Sequence, residues 1–347
     1  MGKRFNKGEW SEFYVFIKIL YDKKIYLLDS DLNKLDAFYK IVKVLRKEIN
    51  QSIYNINDGG IIKSSGDKDI KIEIEKIKPY IGKLLKSLKE GSGSAFVIKD
   101  IDGVFDIINS DIIKVGSSYD KSYINLVIDD ENLLNKDIGF NVKSYIGNPP
   151  TLLNSSRATN FSYEIIGFDG EIEKVNSIST KTKIRDRVLY LLDHSKSIKF
   201  VGLDNDIFCK NLKLIDSLLP NIISIFLLNF FSGNGRKINE IFETLPESPL
   251  NLSSEEFGFK IKAFLLSIAL GLVPTKEWDW YDSANGYIVV KDDGDIGCFS
   301  VLEKKTLAEY LFNNTKFDTP SSSRHDYGYV YEKEGRFYIK LNLQIRF

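Results

Sequence analysis

The sequence predicts an α/β fold in which a mixed sheet with a helix packed on it fills the first half, and a more helical second half ends in strands. Three observations lead there. Residues 9–20 carry Trp10, Phe13, Tyr14, Phe16, Ile17 and Leu20 at helical spacing. Residues 123–128 and 138–146 are short runs of apolar residues joined by the polar turn 129–137, which reads as a hairpin. The most apolar stretches, 218–231 and 264–273, are too short for a bilayer and read as buried helices.

Taken in order, the amphipathic helix at 9–20 places Glu9 and Glu12 near its start, and residues 24–28 form a strand. Residues 36–49 show apolar side chains at helical spacing and are expected as a second helix. Residues 55–65 are polar and contain glycine, so they read as a loop. Residues 71–89 alternate lysine with isoleucine and leucine before Gly91-Ser92-Gly93-Ser94; they read as a helix with a solvated basic face, interrupted or kinked at Pro79. A polar, irregular stretch places a boundary near 170–185, dividing the chain into 1–180 and 181–347. Beyond it, helices are expected at 187–194, 212–231, 238–244 and 256–272, and strands at 286–291, 298–302, 327–331 and 337–347.

Composition narrows the possible functions. The 347 residues exceed a typical single domain, and 43% apolar residues suffice for real cores. With 48 basic and 48 acidic side chains the net charge is zero, so nucleic acid would have to be held by a local cleft and not by a global field. Two cysteines, Cys209 and Cys298, and two histidines, His194 and His325, argue against disulfide scaffolding and the usual zinc sites, and fit a reducing cytoplasm. No signal peptide or membrane-spanning run is visible at the sequence level.

The chemistry concentrates between residues 125 and 161. Asn141 and Lys143 stand two apart on the second hairpin strand, which puts both side chains on one face. Nucleases of the PD-(D/E)xK type gather a metal ligand and a lysine around one phosphate in this way. After the strand comes Pro150-Thr151-Leu152-Leu153-Asn154-Ser155-Ser156-Arg157, rich in hydroxyls and amides with one arginine, a composition suited to phosphates and base edges. Carboxylates for a metal are Asp120, just before the first hairpin strand, and Glu12; Asp120 is preferred because the hairpin brings residues near 120–124 opposite Lys143. Glu9 and Glu12 equally suit the start of a helix as acids facing its dipole, and Asp120 equally suits a turn.

The chain resembles the HpaII family of type II restriction endonucleases. The likeness rests on Gly8-Glu9-Trp10-Ser11-Glu12, Phe140-Asn141-Val142-Lys143-Ser144, Pro150-Thr151-Leu152-Leu153-Asn154 and Ala158-Thr159-Asn160-Phe161. It continues through Pro274-Thr275-Lys276-Glu277-Trp278, Ser323-Arg324-His325 and the terminal Lys340-Leu341-Asn342-Leu343-Gln344-Ile345-Arg346-Phe347, spanning nearly the whole chain. It implies a PD-(D/E)xK-like core and a cytoplasmic, magnesium-dependent enzyme that cuts double-stranded DNA at short palindromes, CCGG being the family's best-known target. On that resemblance the catalytic set is Glu12, Asp120, Asn141 and Lys143, with Asp120 and Glu12 as metal ligands. The DNA contacts are Thr151, Asn154, Ser155, Arg157, Arg324 and His325, and a homodimer matches a palindrome.

Two departures qualify the catalytic set. Asn141 occupies the position two before the lysine that usually holds an acid, and Tyr123 stands where the family tends to open the first hairpin strand with an aspartate. Either Asp120 takes over the metal, or the chain is a nuclease relative that binds a sequence without cutting it.

Overall fold

A computed structural model of the chain describes residues 4–46, 52–65, 68–110, 124–130, 136–147, 149–246, 249–279, 282 and 284–347. Contacts divide it into two compact units, Met1–Pro150 with Asp282–Leu307, and Thr151–Tyr281 with Ala308–Phe347. The division therefore falls at residue 150 and not near 170–185. The cause is in the pairing: Asn160–Ile166 pairs with Ser197–Leu203 and Arg336–Asn342 of the second unit, while strands from the 282–307 segment return to the sheet of the first.

In the first unit, β1 (Arg4–Phe5) precedes α1 (Lys7–Asp22). Asn6 caps α1: its Oδ1 accepts from Glu9 N at 2.9 Å, while Glu9 Oε2 accepts from Asn6 N at 3.0 Å. Glu9 is thus occupied as a capping acid. Lys23, in the left-handed conformation, ends the helix. Then come β2 (Lys24–Leu28), β3 (Lys34–Arg46), β4 (Ser52–Asn57), β5 (Gly60–Ser65) and β6 (Lys68–Ile72). Two expectations fail here. Residues 36–49 give a strand over their described part, and 55–65 belong to a hairpin turned by Asp58 and Gly59, with Asn57 opposite Gly60. The expected helix at 71–89 shrinks to α2 (Lys78–Glu90), with Pro79 in its first turn, where a missing N–H costs nothing.

The unit continues through β7 (Phe96–Val97), α3 (Asp102–Ile108), β8 (Ile124–Asp129) and β9 (Ile138–Ser144), and later through β13 (Gly286–Val290) and β14 (Ile296–Phe299). Among the described residues the large sheet runs β2-β14-β13-β9-β8-β3-β4-β5-β6, and an extra β2–β3 pairing closes its first six strands into a ring. β9 is central: antiparallel to β8 as expected, and parallel to β13. Ile138, Phe140 and Val142 from one face of β9 join the core built on Trp10, Phe13, Phe16 and Leu20 of α1, so Asn141 and Lys143 lie on the opposite face of the strand.

The second unit holds β10 (Thr151–Leu153), β11 (Asn160–Ile166), α4 (Ile172–Ser177), α5 (Lys183–Asp193), β12 (Ser197–Leu203), α6 (Asp206–Ile215), α7 (Leu219–Ser232), α8 (Ile238–Thr244) and α9 (Ser254–Leu270). The chain leaves the first unit within α10 (Lys305–Asn314) and finishes with β15 (Lys316–Phe317), α11 (Ser322–His325), β16 (Val330–Lys333), β17 (Arg336–Asn342) and β18 (Ile345–Arg346). A four-stranded antiparallel sheet runs β12-β11-β17-β16, and a smaller one runs β10-β18-β15. The single helix expected at 212–231 is two, bent by 108° between α6 and α7. Asp216 Oδ1 accepts from Leu218 N across the break, and Pro220 sits in the first turn of α7. Among the described residues no single helix is long and apolar enough to cross a membrane.

Arg187 on α5 is 2% exposed. Its guanidinium donates to the carbonyls of Gly328, Asn176 and Ile178 at 2.6–2.8 Å and lies 4.2 Å from the Tyr329 ring, tying α4 and α5 to the turn before β16.

Candidate active site and DNA-contact cluster

Each unit gathers one group of the residues singled out from the sequence. In the first, Asn141 is buried and Lys143 half-buried on β9. Burial pushes the Lys143 ammonium down to about 8, against the opposing pull of the Glu12 carboxylate on α1. Glu12 therefore stands within electrostatic reach of Lys143, although 131 residues separate them in sequence. A helix-terminal acid facing only solvent would exert no such pull. Asp120 and Tyr123 lie outside the described residues; the described register of the hairpin ends at Ile124 opposite Phe140.

The neighbours of this group were not legible in the sequence. In the parallel β9–β13 pair, Tyr287 stands opposite Asn141 and Val289 opposite Lys143, both fully buried. The run 286–291 signals a strand but not its partner. Lys7, in the first turn of α1, reaches over Gly147 just beyond β9: a β-carbon at Gly147 would come 2.8 Å from Lys7 Nζ, and Gly147 has φ +97°. A second ammonium thus approaches the end of the strand that carries Lys143.

The donors here are hard oxygens, the carboxylate of Glu12 and the amide of Asn141. Among the described residues no three His, Cys, Asp or Glu side chains come together. A magnesium ion does not require three, since it keeps several waters and takes one or two protein carboxylates plus substrate phosphate. The set fits such an ion, and fits zinc poorly.

In the second unit the two polar segments expected to contact DNA come together. Ser155 Oγ and His325 Nε2 are 3.1 Å apart. Burial, then the charges of Arg324 and Arg157, hold the His325 pKa below its ordinary value, which places both guanidinium groups near one imidazole. Arg157, Arg324 and Asn154 are exposed, and Ser155 and His325 half-buried. Thr151, half-buried, pairs with Arg346 on β18.

Two asparagines missed in the sequence fix this cluster. Asn160 Nδ2 donates to the His325 carbonyl at 3.0 Å. Asn342 Nδ2 donates to Asn160 Oδ1 and to the Ser156 carbonyl, both at 2.7 Å. Both asparagines are buried, and they face each other in the β11–β17 register. An asparagine inside a strand is uncommon, and that was the available signal.

The family model described as HpaII restriction endonuclease matches residues 6–347. The type II restriction enzyme HpaII of Haemophilus parainfluenzae is 38% identical over 354 residues, covering 99% of this chain and 98% of that protein. No solved structure matches. The chain is therefore a DNA-binding hydrolase, a site-specific deoxyribonuclease. More narrowly, it belongs to the HpaII restriction endonuclease family.

Proposed function

We propose that the enzyme hydrolyses both strands of double-stranded DNA at a short palindrome, CCGG being the target named by resemblance, with Mg²⁺ as cofactor and a homodimer as the working form. The observation that carries this reading is that Asn141 and Lys143 share one face of β9, with Lys143 within electrostatic reach of Glu12. In this reading the first unit is a PD-(D/E)xK-like core.

Glu12, together with Asp120, would hold the metal, with Asn141 as a neutral oxygen donor. Bound there, a divalent cation supplies Lewis-acid polarisation of the scissile phosphate and charge compensation for the leaving oxygen. Lys143 holds the attacking water or compensates the charge that develops on the phosphate as the P–O bond breaks. Its partial burial serves either role, because a cation partly withdrawn from water interacts more strongly than one in solvent. Thr151, Asn154, Ser155, Arg157, Arg324 and His325 read the target, the arginines by forking onto guanine O6 and N7.

Plasmid digestion tests the proposal. Discrete fragments with ends mapping to CCGG should form with magnesium and not with EDTA. Lys143→Ala should remove cleavage while retaining specific gel-shift activity, because its contribution is made in the transition state. Cleavage by Lys143→Ala at the wild-type rate would place the chemistry elsewhere, and ends mapping to another sequence would discard CCGG.

A further inference from the structure

The second unit contains a cleft of about 700 Å³ that has no part in the sites above. Its walls are the start of α5, the end of α7 and the segment 318–323, and its charged lining is Lys181, Lys183, Arg185 and Arg236 against Asp318 alone. Asp318 is already shared, at 3.4 Å from Arg236 Nη2 and 2.6 Å from Arg346 Nε. Lys181, Lys183 and Arg185 have no ion-pair partner among the described residues. In a chain of zero net charge, such a local excess of cations is the form an anion-binding surface must take.

Two further features point to phosphate. Ser322 lines the cleft, is 4% exposed, and has a buried Oγ with no hydrogen-bond partner among the described residues. Such a buried hydroxyl is costly unless something else satisfies it. The N-terminus of the 11-residue α5 also borders the cleft, and Thr182 provides no side-chain cap there. Its N–H groups and dipole favour an anion. Gly233 ends α7 at φ +87°, and a β-carbon there would come 2.4 Å from Arg185 Nη2, so the guanidinium rests on bare backbone at the cleft wall.

We propose that this cleft holds backbone phosphates of the duplex outside the recognised bases, making it a second, sequence-independent DNA-binding surface. Continuity supports DNA over a free phosphate: Ser321, Ser322 and Ser323 line the cleft, and the next two residues are Arg324 and His325 of the base-reading cluster. Four cations also exceed what a single phosphate needs. The inference rests on the reading that places target recognition at Arg157 and Arg324.

The test compares wild type with the triple variant Lys181→Ala, Lys183→Ala, Arg185→Ala on duplexes of 12 and 30 base pairs over a range of NaCl concentrations. The variant should weaken on cognate and random 30-mers by the same factor. Its slope of log K against log salt should be shallower by about 0.9 for each phosphate that is no longer neutralised, and the gain on lengthening from 12 to 30 base pairs should shrink. Restoring charge with Lys181→Arg and Lys183→Arg, leaving Arg185 in place, should restore the slope. Should the triple variant not fold, Arg185→Gln alone should still lower the slope by about 0.9. Wild-type slopes in a folded variant would overturn the proposal. So would inorganic phosphate raising the Tm of wild type but not of the variant while DNA slopes stay equal, which assigns the cleft to a free phosphate. A loss of specificity together with affinity would move these residues into base reading and also overturn it. Failure of the wild type to discriminate a CCGG duplex from random DNA would instead count against the recognition reading on which the inference rests.

Discussion

At the scale of single residues, the cluster around His325 that is proposed to contact DNA offers a measurement independent of cleavage. His325 is partly desolvated and faces two arginines, so its pKa lies below the ordinary 6.5 and its neutral form dominates at pH 7. Removing Arg324 removes one of the charges that suppress protonation. Arg324→Ala should therefore raise the His325 pKa, readable by proton NMR because the chain has only one other histidine, His194. The same substitution should weaken cognate DNA binding by about 1 to 3 kcal/mol and random DNA binding far less. Linkage fixes the sign for stability. Below 6.5 the unfolded chain binds more protons at this position than the folded one, so the stability His325 contributes is present above 6.5 and lost as pH falls through its folded pKa. A midpoint at or above 6.5, or no rise in Arg324→Ala, would separate Arg324 from His325 and undo the cluster. Arg157, Arg324, Ser155 and His325 were legible in the sequence as arginines and polar groups in Ser- and Asn-rich segments. The buried Asn160 and Asn342 that hold them were not, because their role depends on the β11–β17 pairing.

At the scale of elements, the misread segments have identifiable causes. In β3 the buried residues are Tyr39, Ile41, Val44 and Arg46. A bulge between Ile41 and Lys43 inserts one residue into the alternation, so that a spacing of two becomes three and imitates a helix. The β-branched Ile41, Val42 and Val44 favoured a strand. At 55–65, Asp58-Gly59 was a hairpin signal that outweighs polarity. α1 and the β8–β9 hairpin were legible because their patterns are local, whereas the parallel β9–β13 pairing joins segments far apart in the chain and left no local trace. That pairing is testable. Gly286 faces Phe140, and a β-carbon there would come 2.2 Å from the Phe140 ring, itself fully buried in the core beneath the Lys143 strand. Gly286→Ala should therefore destabilise the fold by about 1 to 3 kcal/mol in urea unfolding, as overpacking does. It should also slow cleavage by moving β9. Unchanged stability would mean that the two strands do not meet as closely as this glycine requires.

At the scale of the whole molecule, the arithmetic of a double-strand break bears on the working form. Each chain has one Lys143 strand, while a palindrome carries two antiparallel scissile phosphates related by a two-fold axis. A monomer would have to release the duplex and rebind in the opposite orientation to cut the second strand; a two-fold dimer presents one centre to each. The two arrangements differ when active and inactive chains are mixed. Lys143→Ala chains should still bind the site, so a mixed dimer would hold one competent centre and one silent one. An equimolar mixture, equilibrated before DNA is added, should therefore convert a supercoiled plasmid with a single site mainly to nicked circles in the first turnover, whereas wild type alone gives linear product. If the chains act as monomers, the mixture would give the wild-type pattern at a reduced rate, with no rise in nicked circles, and the homodimer would have to be abandoned. Sedimentation of the same mixture on a short duplex should show two chains per duplex, and one chain per duplex would lead to the same conclusion without reference to catalysis.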